Sequence, residues 1–139
     1  MTREQKYPDT STFHFYNANP KGRITGDCTF RAIATAMNKP WTEVVMEMAE
    51  LSCITGYAIN DNKGIERYLK EQGWEKQKQP LKSNGKCYRA YEFCEFLDAS
   101  KNYIVNVGSH HIVAIVGGKV TDIWNSTGEC VGNYWIKKQ

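Results

Sequence analysis

The sequence predicts an α+β fold, and three observations predict it. Apolar residues recur at helical spacing through roughly the first hundred positions, and short β-branched or aromatic runs follow. Two of those runs, HIVAIV and KVTDIW, are joined by Gly117-Gly118, a pair suited to a tight primed turn. Helices first and antiparallel strands after is the α+β order. A chain of 139 residues can bury one core of its own. It is read as a single domain over 1–139, with an extended arm over 1–26, a mainly helical part over 27–100 and an antiparallel sheet over 101–139.

Each element has its own signal. The arm is polar and rich in turn formers, and holds one aromatic cluster, Phe13, Phe15 and Tyr16, through which it is expected to pack. From Asp27 the period becomes helical: Phe30, Ile33, Ala34 and Met37 share a stripe, and Asn38-Lys39-Pro40 closes it. A second helix is expected from about Thr42, with Val44, Val45, Met48 and Leu51 inward. A third, KGIERYLKEQG, buries Ile65, Tyr68 and Leu69 and ends at Gly73, a left-handed cap. After a lysine-rich polar loop, YRAYEFCEFLDAS is expected to form one more helix that turns Tyr91, Cys94 and Leu97 inward. The strands are NYIVNV, HIVAIV, KVTDIW and VGNYWI.

Composition narrows the function. The chain is 41% hydrophobic and 24% charged, the balance of a folded protein rather than a disordered one. A net charge of +3 is too mild to argue for nucleic acid. No apolar run reaches membrane-spanning length, and the opening MTREQKYPDT lacks a signal-peptide core. Five cysteines, at 28, 53, 87, 94 and 130, are an odd set without scaffold density, so reduced thiols and a cytoplasmic location are expected. Cys87 and Cys94 are expected on one helix, with Cys53 and Cys130 structural. Neither CxxC nor HxxxH spacing occurs, so no metal site is expected. The tryptophans are expected as core or cleft walls.

The chemistry centres on GDCTFRAIATAM. A polar cysteine at the first turn of an amphipathic helix meets unpaired N–H groups and the positive end of the helix dipole, both of which favour a thiolate. A histidine in reach would favour it further, as a thiolate–imidazolium pair. Of His14, His110 and His111, the last two open a strong strand, and alternation turns His110 away from His111. An orienting group is needed on the neighbouring strand, where Asp122 and Asn125 are available. A two-residue Gly-Gly loop pairs Val116 with Lys119, which sets Trp124 opposite His111 and Asp122 diagonal to it on the same face. A three-residue loop with a bulge sets Asn125 opposite instead. Strand parity leans to Asp122.

These motifs together resemble the papain-like cysteine peptidase fold, and within it small bacterial and phage proteins related to the bacteriocin-processing (double-glycine) peptidases. GDCTFRAIA is similar to their Asp-Cys helix start, and HIVAIVGGKVTDIWNS to their histidine strand returning to an Asn or Asp. The likeness spans about Thr25 to Trp135 and rests on these two short motifs. It implies a catalytic Cys28, His111 and Asn125, because the orienting Asn of papain-like enzymes is likewise followed by Ser; Asp122 is second choice. It implies a peptide or protein substrate, cleavage of an amide, isopeptide or thioester bond, and no cofactor. The glutamine that the family places five or six residues before the cysteine is replaced by Gly22 or Arg23, leaving Asn17 or Asn19, with the Cys28 N–H, as oxyanion donors. That departure keeps open a second reading, an idle fold that binds a protein partner. A third, nucleic-acid stacking at Trp135 beside Lys137 and Lys138, ranks last, since a terminal lysine pair is usually a solvated end.

Overall fold

A computed structural model describes residues 1–139. The chain is α+β, with five helices and a six-stranded, mostly antiparallel sheet of order β1-β5-β4-β3-β6-β2. The helices are α1 (Arg3–Lys6), α2 (Cys28–Met37), α3 (Trp41–Thr55), α4 (Asn62–Glu71) and α5 (Ala90–Phe93). The strands are β1 (Phe13–Phe15), β2 (Trp74–Gln77), β3 (Tyr103–Val107), β4 (His111–Val116), β5 (Lys119–Asp122) and β6 (Val131–Lys137). No helix is long and apolar enough to cross a membrane.

Sequence period sorts the side chains onto the two faces of the sheet. On one face lie α2, α3 and α4, where Ile33, Val44, Met48, Tyr68 and Leu69 pack with Ile104, Ile112, Ala114 and Trp135 of the strands. Alternate strand residues, Val105, Val107, Val113, Ile115 and Val120, join Phe13, Ala90 and Phe93 in a second core on the other face. Leu69 is fully buried, and Leu69→Ala is expected to cost about 2–5 kcal/mol. Helix ends follow the expected chemistry. Asn38 closes α2 in the left-handed region at φ 51°, and the Asp61 side chain caps α4 by accepting from the Lys63 N–H.

Gly117 and Gly118 both take positive φ, 62° and 75°, which closes β4 and β5 with a two-residue turn. The register is therefore Val116 with Lys119, Ile115 with Val120 and Ala114 with Thr121.

Three expectations need correction. The arm is not merely extended: Thr2 caps the short α1, and Phe13–Phe15 forms a strand parallel to β5, with Phe13 fully buried. Residues 74–77 form β2 inside the stretch read as leading into a polar loop, because backbone pairing with β6 stabilises a strand whose side chains give no apolar alternation. The helix expected over 88–100 shrinks to the single turn of α5, with Tyr91 exposed and Ala90, Phe93 and Cys94 buried. Its start is held by another segment: the Ala90 and Tyr91 N–H groups donate to the Glu129 and Thr127 carbonyls.

The cysteine expectation is corrected too. Cys87 precedes α5 and forms a disulfide with Cys130, with a Cα–Cα separation of 5.7 Å. The bridge closes a 43-residue separation and ties the approach to α5 to the start of β6. Cys28, Cys53 and Cys94 remain thiols. A disulfide persists in oxidising surroundings, so the ground for expecting a cytosol, an all-thiol chain, is removed.

Candidate active site

The site lies where the first turn of α2, the start of β4 and the end of β5 meet. α2 packs closely on β4, which brings Cys28 to His111 across most of the chain length. The Cys28 thiol is partly exposed and lines the same groove as the His111 ring, which acts on its titration. His111 Nε2 lies 2.6 Å from an oxygen of Asp122, which leaves Nδ1 as the ring nitrogen for the thiol. Trp124 lies against the ring, with centroids 5.0 Å apart.

The electrostatics of the pair follow from this geometry. Burial is the largest influence on Cys28 and works against a thiolate. The neighbouring His111, the Ile112 backbone N–H and the Arg31 charge together outweigh it, and hold the thiol below its ordinary value of 9.0. Burial is also the largest influence on His111 and disfavours its cation, but Asp122 and Cys28 overcome it and raise the imidazole from 6.5 to about 9. Both shifts run in the direction that favours a thiolate–imidazolium pair.

Asp122 takes the place expected for Asn125. The two-residue turn fixes the register, so β5 ends with Asp122 next to the His111 ring. Asn125 lies beyond the strand, and its side-chain oxygen accepts from the Thr127 N–H at 3.0 Å and the Thr127 hydroxyl at 2.5 Å. Asp122 is buried. His110 is exposed in the turn between β3 and β4.

Both proposed oxyanion amides already have a partner in the loop before α2. Asn17 Nδ2 donates to the Arg23 carbonyl and Asn19 Nδ2 to Asp27, so both serve the loop that leads into α2. Asp27 in turn leaves the end of α2 open. Its carboxylate makes no cap bond to the helix, and accepts instead from Arg31 Nε at 2.8 Å, Trp41 Nε1 at 3.0 Å and Asn19 at 3.2 Å. The N–H groups of the first turn beside Cys28 therefore remain available to an oxyanion.

A groove of about 430 Å³ runs past Cys28 and His111. Its lining includes Gly108–His110, Asn60 before α4, Asn62 at its start, and the buried Ile65, Ile112 and Trp135. A second cavity, about 540 Å³, lies at the far end of α2 and has no cysteine or histidine in its lining.

Sequence reasoning missed Arg31, whose guanidinium bridges Asp27 and Asp122 from within the buried layer. One signal was present: Asp27 and Arg31 stand four apart around the cysteine, the spacing of neighbours on a helix. No family model, curated protein or solved structure matches the chain.

Proposed function

We propose that the protein is a thiol hydrolase, a papain-like cysteine peptidase in its chemistry, acting on an amide, isopeptide or thioester bond. One observation carries the reading: a partly exposed thiol at an uncapped helix start shares an imidazole with a buried carboxylate.

In the proposed reaction the Cys28 thiolate attacks the carbonyl carbon. The electron pair of the carbonyl moves to oxygen, beside the first-turn N–H groups of α2. As the intermediate collapses, the His111 imidazolium gives its proton to the leaving nitrogen and an acyl-thioester remains on Cys28. Water then loses a proton to His111, its oxygen attacks the thioester carbon, and the sulfur leaves as thiolate. Asp122 holds the ring through Nε2 and stabilises its cation. No metal or organic cofactor enters these steps.

Iodoacetamide labelling at pH 6 with mapping by mass spectrometry tests the reading. Cys28 is expected to label ahead of Cys53 and Cys94, and to lose that preference in His111→Ala. Equal labelling of the three thiols overturns it.

A second reading, an idle fold that binds a protein, draws support from the two asparagine amides being committed to their own loop. The two part on Cys28→Ala: if expression of the parent gives a cellular phenotype, its loss in a folded variant supports chemistry and its retention supports binding.

A further inference from the structure

Resting on that reading, we infer that Arg31 is a positioning residue of the site, whose guanidinium, anchored by Asp27, holds one oxygen of Asp122 so that the other is presented to His111. Arg31 Nη1 bonds Asp122 Oδ1, while His111 Nε2 contacts Oδ2. Arg31 Nε is held by Asp27 Oδ1. The two carboxylates sit on different parts of one rigid fork, which a point charge such as lysine cannot reproduce.

The side chains of Asp27, Arg31 and Asp122 are 5%, 7% and 3% exposed, so these charges have little water to turn in. Trp41 Nε1 and Asn19 Nδ2 occupy the other oxygen of Asp27, which keeps that anchor from turning away. Charges then alternate in sign along Asp27, Arg31, Asp122, His111 and Cys28. Both ends of this series belong to α2 and its N-terminal flank, so one helix carries the sulfur and the cation that registers the carboxylate behind the imidazole. The other charged groups of the groove, Glu66 on α4 and Lys76 on β2, pair with each other, and His110 is solvent-exposed.

A buried ion bridge by itself adds little net stability, so loss of stability alone does not identify a positioning role. The pH dependence of Cys28 labelling does. In the intact 139-residue chain, the acid limb of iodoacetamide labelling is expected to move up by about one pH unit in Arg31→Gln, which makes labelling below the limb about tenfold slower. In Arg31→Lys, which keeps the charge but not the fork, a smaller upward movement is expected. Thermal melts report whether each variant folds. A folded Arg31→Gln with the parent limb and rate overturns the inference while leaving Cys28 chemistry standing. If Arg31→Gln does not fold, an Arg31→Lys limb at the parent position overturns it. Should the parent protein lack preferential Cys28 labelling, the thiol-hydrolase reading fails and the inference falls with it.

Discussion

The molecule contains two histidine–carboxylate pairs of nearly equal length and different surroundings. His14 Nδ1 lies 2.7 Å from Asp9 in the arm, with both side chains about half exposed. His111 Nε2 lies 2.6 Å from Asp122, with side chains 17% and 3% exposed. Asp9 is held below its usual range first by the Phe15 backbone N–H and then by His14, which makes this pair a brace for the turn into β1. Asp122 also engages a guanidinium, and its histidine touches a thiol. A short contact therefore says little about function. Shielding from water and the identity of the third group separate a surface brace from a reactive pair.

The largest test of that contrast removes each histidine in turn. His111→Ala is expected to lower hydrolysis by about 10²–10⁴-fold and to abolish the labelling preference, whereas His14→Ala leaves both at parent values. A His14→Ala effect of similar size, in kinetics on a folded variant, would break the comparison.

Next comes stability. Replacing Arg31 by Leu leaves two buried carboxylates without their countercharge, and is expected to cost about 3–5 kcal/mol in denaturant unfolding. Asp9→Ala, at the exposed pair, is expected to melt close to the parent.

A smaller effect separates Asp122 from Asn125. Asp122→Asn keeps the shape but loses the charge behind the ring, and is expected to lower kcat less than His111→Ala does. Asn125→Ala removes only the Thr127 contacts, so kcat stays at the parent value and stability falls by about 0.5–1.5 kcal/mol. The reverse order in kcat would return the orienting role to Asn125.

The smallest effect is read from pH. Because the His111 pKa is raised from 6.5 to about 9, its stabilising contribution is complete below 6.5 and fades as pH rises through about 9. The stability difference between the parent and His111→Gln should narrow over that interval in denaturant unfolding followed against pH. On the proposed mechanism the same titration removes the acid that protonates the leaving group, so hydrolysis is expected to fall near pH 9 while alkylation continues.

Local pattern carried a good part of this arrangement. The helix start at Cys28, the strand at His111 and the Gly117-Gly118 register were all readable, and strand parity favoured Asp122 from that register. Likeness to papain-like enzymes drew the choice to Asn125 through a dipeptide, yet strand pairing here ends before that residue. Other features left no local trace. β1 is three residues long and is stabilised by pairing with a strand more than a hundred positions away. The Cys87–Cys130 bridge joins segments whose approach only the assembled sheet determines. Arg31 resembles any helical arginine until α2 is laid on the sheet and its fork meets Asp122.

The parallel pairing of β1 bears on how the protein can be trimmed. With Phe13–Phe15 in place, the strand that ends in Asp122 is flanked on both sides. A shortened version starting at Tyr16 would bare a row of backbone donors and acceptors along Lys119–Asp122 and open the Phe13 seat in the core. Such a fragment would tend to recruit a strand from a second molecule, so shortened versions keep the first fifteen residues intact.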